Sequence, residues 1–407
     1  MKVLLINQSD IQGGAAIAGF RLLQGLKEKG VDVRLFVDNK RTQCEFVSAL
    51  ENRRSFTEKI LNRATSLIGL NYIHILSSFS IPKTDAYHNI HILNFHNLHG
   101  GYFNYLAMPS LTKNKPAIFT LHDMWSFTGH CAYSYDCEKW ISGCGNCPYP
   151  DSYPSIRRDI TRIEWKLKKW AYSRSNLTIV APSRWLAEQA RKSMLNRFPI
   201  YHIPNGFDTE AYRPHDRALC RSVLGIPFDA KVLMFAAQNL RDPRKGGHLL
   251  LKALKDIPQA LKARALLISL GDGGESIAGD TGLKTLQLGY VGGDHLKSIC
   301  YSAADVFVFP TRADNLPIVL QESMACGTPM VSFNIGGVPD LIRPGTTGFL
   351  AKPEDAEELR DNIVRLLEDD DLRQRMSEAC RSIAVEEYGL ELQATRYIAL
   401  FNDILGN

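Results

Sequence analysis

Residues 314–330, DNLPIVLQESMACGTPM, place two carboxylates around a short apolar stretch. Pro317 favours the first turn of a helix and Gly327 favours its end, which predicts a short helix that starts just after Asp314 and contains Glu322. Amides at the start of a helix attract anions, and a carboxylate on an otherwise apolar helix needs a polar partner. The segment therefore predicts an anion site, with Glu322 able to accept hydrogen bonds from a ribose.

A cluster of cations precedes this segment. Arg241, Arg244 and Lys245 stand in LRDPRKGG, a turn between a predicted strand and a predicted helix. Three cations beside a helix start suit a diphosphate, although a solvated basic loop has the same composition. Both interpretations of this turn remain open.

Histidines follow two predicted strands in the first half of the chain. His96 and His99 follow HILNF, and His122 and Asp123 follow AIFTL. Ligands of open α/β sheets bind at the carboxyl ends of strands, so His122 is predicted to be functional. Asp123 either orients the ring of His122 or caps the next turn.

Four of the nine cysteines lie within residues 122–148, in the pattern C-x5-C-x6-C-x2-C. Cys131, Cys137, Cys144 and Cys147 could close a tetrahedral structural zinc site. Disulfides and free thiols in a packed loop are the alternatives. Four cysteine ligands leave no open coordination position, so the pattern predicts a structural clip and no catalytic metal.

Alternating strands and helices must position these residues. Short apolar strands recur at KVLLIN, HILNFH, AIFTLHD and LTIVAPS, and again at KVLMFAAQ, ARALLISLGDG, DVFVFPT and PMVSF. The turn IQGG, with Gly13 and Gly14, lacks the G-x-G-x-x-G spacing and is either a plain tight turn or an anion-binding one. Two such sets, joined near residues 205–215, predict an α/β protein with two doubly wound, Rossmann-like domains.

Length and composition agree with this organisation. A chain of 407 residues is too long for one core, and domains of roughly 150–200 residues are expected. The formal charge of +5 is mild and predicts no nucleic-acid binding. No secretory signal or membrane-spanning run is recognisable, so a cytoplasmic protein is expected.

Residues 157–174 form a basic segment that also contains Trp165 and Trp170. Such a mixture indicates a helix with its apolar side in the core and a solvated basic face. The alternative is a helix that lies on an anionic membrane surface.

Residues 314–342, DNLPIVLQESMACGTPMVSFNIGGVPDLI, resemble the carboxylate-x7-Glu signature of family 4 glycosyltransferases, which have the GT-B fold and retain anomeric configuration. IPNGFDTEAYRP resembles the interdomain passage of that family, RKG its phosphate-binding segment, and GTTGFL the segment after the nucleotide site. The resemblance covers essentially the whole chain. It implies two facing Rossmann-like domains with an interdomain cleft: an acceptor-binding domain over residues 1–207, a donor-binding domain over 208–385, and a helix over 386–407 that packs back toward the first domain.

The resemblance also implies roles for individual residues. Lys245 neutralises the diphosphate, Glu322 binds the ribose, Asp314 the donor sugar, and His122 approaches the sugar from the first domain. The predicted donor-binding residues are Gly13, Gly14, Arg241, Arg244, Lys245, Asn315, Leu316, Pro317, Ile318 and Glu322. The predicted acceptor-side residues are His96, Asn97, His99 and Asp123, although His96 to His99 would equally suit a histidine-rich surface turn.

Two positions depart from the family pattern. The first carboxylate is usually Glu, and Asp314 is one methylene shorter. The usual Arg five residues before the Lys is replaced by Leu240, so Arg241 or Arg244 takes its place.

The implied activity is transfer of a hexosyl group from a nucleoside-diphosphate sugar, with UDP favoured, to a saccharide or lipid-linked saccharide acceptor in exopolysaccharide synthesis. The cations would stabilise the departing diphosphate without a catalytic metal ion. Peripheral contact with the inner membrane surface is a further expectation. A glycosidase with paired carboxylates would leave a nucleotide site without a purpose. A non-catalytic GT-B protein that senses nucleotide sugar or polysaccharide remains the alternative.

Overall fold

A computed structural model of the protein describes residues 1–50, 60–61, 65, 69–70, 72–278 and 282–406. The chain divides into two compact units, Met1–Gly206 with Leu390–Asn407 and Phe207–Gly389. Each unit contains one parallel sheet with helices packed against it. The predicted pair of doubly wound α/β domains is confirmed.

The first unit has a seven-stranded parallel sheet in the order β3-β2-β1-β4-β5-β6-β7. Its strands are β1 (Lys2–Ser9), β2 (Asp32–Asn39), β3 (Val47–Ala49), β4 (Ile92–Phe95), β5 (Ala117–Thr120), β6 (Leu177–Ala181) and β7 (Ile200–His202). The helices before residue 206 are α1 (Gly14–Glu28), α2 (Asp85–His88), α3 (Met108–Leu111), α4 (Lys139–Ser142), α5 (Thr161–Tyr172) and α6 (Arg184–Lys192).

The core of the first unit lies on both faces of this sheet. Side chains alternate between the faces of a strand, so Val3 and Leu5 join one apolar cluster while Leu4 and Ile6 join another. The order of strands reverses between β1 and β4, whose registers align Ile6 with Phe95. Such a reversal opens a crevice at the carboxyl ends of the strands.

The second unit has a six-stranded parallel sheet in the order β10-β9-β8-β11-β12-β13. Its strands are β8 (Lys231–Asn239), β9 (Ala265–Asp272), β10 (Lys284–Gln287), β11 (Val306–Phe309), β12 (Met330–Phe333) and β13 (Gly348–Ala351). Its helices are α7 (Arg217–Val223), α8 (Gly247–Lys255), α9 (Gln259–Lys262), α10 (Glu275–Ala278), α11 (Asp294–Ala303), α12 (Ile318–Ala325), α13 (Ala356–Glu368) and α14 (Asp370–Tyr388). The order reverses between β8 and β11, which places the crevice of this sheet there.

The last helix, α15 (Leu390–Leu405), belongs to the first unit. It buries Tyr397 and Phe401 in the same cluster as Val3 and Leu5. Helix α1 approaches it closely at Gly25, where a Cβ would lie 3.0 Å from Leu390 Cγ. Helix α14 continues to Tyr388, so the return to the first unit starts at Leu390 and not at residue 386.

Candidate active site

Two cations and a carboxylate meet in the second unit, beside the strand reversal. Lys245 Nζ donates a hydrogen bond to Asp314 Oδ2 at 2.6 Å, and Arg244 Nη1 donates to the same oxygen at 3.3 Å. Arg244 Nη1 also donates to the carbonyl oxygen of Ala313 at 3.0 Å. The Asn315 amide donates to the other carboxylate oxygen of Asp314 at 3.1 Å. The two cations are therefore held side by side.

The turn that carries these cations is fixed by its own sequence. Asp242 precedes a short 3-10 helix, Pro243–Lys245, and its side chain accepts the amide of Arg244 at 2.9 Å. Gly246 has φ of +73°, and a Cβ there would lie 1.8 Å from the carbonyl oxygen of Pro310. Glycine is required at this position because the turn packs directly against the segment after β11.

Burial and charge act together on this cluster. Burial lowers the pKa of Lys245, although Asp314 partly opposes that shift. Burial alone would raise the pKa of Asp314, but Lys245 and Arg244 outweigh it and bring the pKa below its usual value. Asp314 is therefore ionised at neutral pH and forms a true ion pair with both cations.

Glu322 lies inside α12 and is only 2% exposed. Tyr301 Oη donates to Glu322 Oε2 at 3.3 Å, and Lys297 Nζ lies 3.9 Å from Oε1. Lys297 and Tyr301 are one helical turn apart on α11. The sequence alone did not connect these two residues with Glu322. Their i, i+4 spacing was the available signal, since it puts both side chains on one face of a helix.

The remaining predicted donor residues divide between two places. The segment Asn315–Ile318 precedes and begins α12, with Pro317 at the cap position. Gly13 and Gly14 form the cap and first residue of α1, in the first unit. A part for these two glycines in donor binding stays a prediction.

The structure distinguishes the two candidate arginines. Arg241 is 61% exposed along its side chain and pairs with Glu275. Arg244 contacts Asp314 and stands beside Lys245. Of the two, Arg244 is therefore the one that stands beside Lys245, and its replacement of the family's earlier arginine stays a prediction.

In the first unit, two histidines meet at the carboxyl ends of β4 and β5. His96 Nδ1 and His122 Nε2 are hydrogen-bonded at 2.9 Å, and their rings stack with centroids 5.2 Å apart. His96 Nε2 is buried and finds no hydrogen-bond partner among the described residues. Burial holds the pKa of His96 well below its usual value and lowers the pKa of His122 to about 4. Both rings are therefore neutral at physiological pH.

A second pair supports the first. His99 Nε2 and Asp123 Oδ2 are 2.8 Å apart, and Asp123 Oδ1 accepts the amide of Trp125 at 2.8 Å. Asp123 thus caps the turn after β5 and binds His99. Asn97 accepts the hydroxyl of Tyr102 with its main-chain oxygen at 2.8 Å.

The buried histidines predict an acid-dependent part of stability. The pKa of His122 is about 4 in the fold against an ordinary value of 6.5, so the unfolded chain binds more protons between these limits. This contribution is complete above about pH 6.5 and is lost as the pH falls through about 4. We expect the unfolding temperature of His122→Gln to fall less between pH 6.5 and 4.5 than that of the wild type, by roughly 3–5 °C.

Differential scanning fluorimetry over this pH range checks the expectation. His88→Gln, which changes an exposed histidine in the same unit, is the control. Parallel pH profiles for the wild type and His122→Gln would contradict it.

One buried cation was missed by the sequence analysis. Lys168 on α5 is 0% exposed, and its Nζ donates to the carbonyl oxygens of Trp125 at 2.6 Å and Thr128 at 3.1 Å. Tyr172, one turn later, donates to the carbonyl of Ser126 at 2.8 Å. Helix α5 therefore holds the segment that follows Asp123, and Lys168 is not one of the surface cations that the basic segment suggested.

None of the four clustered cysteines forms a disulfide, and they lie close enough together that Cys137, Cys144 and Cys147 all act on the charge of Cys131. Cys144 Sγ accepts the amide of Gly129 at 3.2 Å, and Cys147 Sγ lies 3.2 Å from His130 Nε2. Burial raises the pKa of Cys131 to about 12 and that of Cys144 to about 11. Across the residues that the structure describes, no group of three His, Cys, Asp or Glu side chains could hold a metal ion. The structural zinc remains a prediction, which the zinc content of the purified protein would test.

The second unit thus has the attributes of a phosphate-binding domain: a parallel sheet, a strand reversal, paired cations and a helix start beside them. Comparison with known proteins shows which family of proteins this phosphate-binding domain belongs to. Residues 12–211 match the family model described as Glycosyltransferase Family 4, and residues 217–383 match the model described as Glycosyl transferases group 1. The chain belongs to the GT-B glycosyltransferases of family 4.

Similar proteins agree with this assignment. The D-inositol 3-phosphate glycosyltransferase of Saccharomonospora viridis is 31% identical over 197 residues, which is 45% of each chain. Sucrose-phosphate synthase from Thermosynechococcus elongatus superimposes with a TM-score of 0.72 at 19% identity, over 100% of this chain and 99% of that one. Anabaena HepE in complex with UDP and glucose gives a TM-score of 0.69 at 18% identity, over 99% and 100%. The chain spans about half the length of the curated relatives it matches.

Proposed function

We propose that the chain is a retaining hexosyltransferase that uses a nucleoside-diphosphate sugar, with UDP favoured, and a saccharide or lipid-linked saccharide acceptor in polysaccharide synthesis. The observation that carries this proposal is the pair of cations, Lys245 and Arg244, fixed beside the start of α12. Family membership supports the reaction class, and HepE, whose structure contains UDP and glucose, supports the choice of UDP.

The chemistry follows from where charge develops. When the bond between the anomeric carbon and the phosphate oxygen breaks, negative charge grows on the departing diphosphate. Lys245 and Arg244 supply fixed positive charge there, and the amides at the start of α12 add to it. This arrangement needs no metal ion, and we assign no protein nucleophile, since the departing phosphate can take the proton of the acceptor hydroxyl.

Glu322 is proposed to accept hydrogen bonds from the ribose of the donor. We therefore expect one nucleoside diphosphate among UDP, GDP, ADP, CDP and dTDP to raise the unfolding temperature of the wild type, with EDTA present. A ligand at 100 times its Kd stabilises the fold by about 2.7 kcal/mol. In Glu322→Ala this protection should disappear, while Glu378→Ala, which changes an exposed glutamate on α14, should keep it.

Two outcomes would refute parts of this proposal. If none of the diphosphates stabilised the protein, the proposed donor site would be refuted. If EDTA abolished the stabilisation, the proposed metal independence would be refuted. Slow release of UDP from UDP-glucose without an acceptor separates an enzyme from a sensor, because a sensor binds the donor without breaking it.

We also propose that α5 contacts an anionic membrane surface. Within the described part of the chain, no helix is long and apolar enough to cross a membrane. The outward face of α5 nevertheless exposes Ile163 and Trp170 beside the cations Arg162, Lys166 and Lys169. The one acidic residue of this helix, Glu164, is buried. This face combines positive charge with apolar groups, as interfacial helices do.

Flotation with vesicles tests this contact. Each surface cation contributes about 1 kcal/mol to binding of an anionic membrane. We expect the double substitution Lys166→Gln, Lys169→Gln to weaken binding to phosphatidylserine vesicles about 30-fold. The control is Arg191→Gln, Lys192→Gln, which removes two exposed cations from α6. Equal flotation of all three proteins would exclude α5 as the contact.

A further inference from the structure

We propose that Asp314 is an internal competitor of the donor diphosphate, so that its carboxylate limits how tightly the second unit binds a nucleotide. This inference rests on the proposed function and adds to the role implied by the family resemblance, in which the first carboxylate holds the donor sugar. In this structure Lys245 and Arg244 bind the carboxylate of Asp314. A diphosphate would need the same two cations.

The contacts of Asp314 are shared unequally between its two oxygens. Oδ2 receives both cations, at 2.6 Å from Lys245 Nζ and 3.3 Å from Arg244 Nη1. Oδ1 receives the amide of Asn315 at 3.1 Å. The carboxylate therefore uses the donors of Lys245 and Arg244 much as a phosphate oxygen would, as the acceptor in charge-assisted hydrogen bonds.

The backbone of Asp314 is held in place, so the competitor cannot easily move away. Gly337 donates its amide to the carbonyl oxygen of Asp314 at 3.1 Å. At Gly336, where φ is +55°, a Cβ would lie 2.1 Å from that same oxygen. The loop at residues 336–337 is thus packed directly on Asp314. The lysine, with its four-carbon stem, is the more mobile partner.

The length of the side chain strengthens the competition. An aspartate carboxylate stays close to its own backbone, where the amide of Asn315 holds Oδ1. It remains buried at 9% exposure, where solvent screens its charge less than at the surface. A diphosphate that approaches Lys245 therefore meets a fixed negative charge beside it. Removing that charge should favour the diphosphate.

Isothermal titration calorimetry of the full chain tests the proposal, with UDP and inorganic pyrophosphate as probes. Pyrophosphate reports on the cations whichever base the donor carries. We expect Asp314→Asn to bind both probes about tenfold tighter than the wild type. Asp229→Asn, the same change of charge at an exposed position of the second unit, should bind them as the wild type does. Asp314→Ala repeats the test if the asparagine variant does not fold.

A double-mutant cycle locates the effect. In the background of Lys245→Met, the gain from Asp314→Asn should shrink to about twofold or less, because the main cation under competition is gone. A gain that is unchanged in this background would overturn the proposal.

The other outcomes are distinct. If Asp314→Asn leaves UDP and pyrophosphate unchanged but weakens UDP-glucose, Asp314 is a sugar ligand and the inference is wrong. If the variant binds UDP more weakly, Asp314 positions the cations and the inference is again wrong. If the wild type binds neither UDP nor pyrophosphate, the inference falls together with the proposed cation site, and the proposed function loses its main support.

Discussion

Lys245→Met is expected to lower the turnover of the donor sugar by about 10²–10³-fold. The ammonium of Lys245 is one of two neighbouring cations that the second unit offers to a departing diphosphate, and it is already held within 2.6 Å of an anion. Methionine resembles the apolar stem of lysine and lacks the terminal ammonium. Release of UDP from UDP-glucose, measured with and without a saccharide acceptor, reports the change.

The matched control is Lys252→Met, which removes an exposed lysine from α8 in the same unit. Its turnover should equal that of the wild type. If Lys245→Met kept most of its activity, Arg244 and the helix start would suffice for the leaving group, and the assignment of Lys245 would fail.

The second large effect is expected in stability. Asp305 precedes β11 and is 3% exposed. Its Oδ2 accepts Arg221 Nη2 at 2.9 Å and the amide of Val232 at 2.7 Å, while Arg217 Nη1 lies 3.2 Å from Oδ1. Arg373 Nε is 3.8 Å from Oδ1. This carboxylate joins α7, β8 and α14, and its loss removes the carboxylate with which the buried guanidinium of Arg221 pairs.

Asp305→Ala should therefore lower the free energy of unfolding by about 3–5 kcal/mol. Urea denaturation followed by circular dichroism measures this change. Asp361→Ala is the control, because Asp361 pairs with Arg360 at the surface of the same unit at 2.8 Å. Exposed pairs contribute about 0–1 kcal/mol. Similar losses in the two variants would show that the Asp305 cluster is no stronger than a surface pair.

The strands that are buried on both faces could be predicted from the sequence. A parallel strand covered by helices reads as a continuous apolar run, as in Leu177–Ala181 and Val306–Phe309. The three-residue strands Val47–Ala49 and Ile200–His202 were missed. Each is partly exposed and too short to carry a pattern.

The candidate site was predictable where its parts are close in sequence. Asp314 lies just before α12 and Glu322 lies inside it, so one short stretch of sequence predicts both positions. Lys297 supports Glu322 from another helix, and no spacing in the sequence states which helices will pack together. The choice between Arg241 and Arg244 was open for a similar reason. It depends on the direction of a turn that Gly246 and the carbonyl of Pro310 determine.

The basic segment at residues 157–174 is a further case in which the sequence alone does not show which side chains are buried. A count of charges does not distinguish Lys168 from its neighbours. In the structure, however, its ammonium lies against the ring of Trp125, 3.6 Å from the ring centroid. Burial lowers the pKa of Lys168 to about 8. Only the packed structure separates this lysine from the exposed cations of α5.

The chain passes from one unit to the other at two points that touch. The amide of Phe207 donates to the carbonyl oxygen of Tyr388 at 3.1 Å, and Phe207 forms a bridge with Gly389. Residues 207–389 are therefore a continuous insertion whose two ends are already joined by a hydrogen bond. Such a piece can be excised as one polypeptide, or its ends can be linked and new termini opened elsewhere. The first unit, in contrast, consists of two chain segments, residues 1–206 and 390–407, which the insertion separates along the sequence.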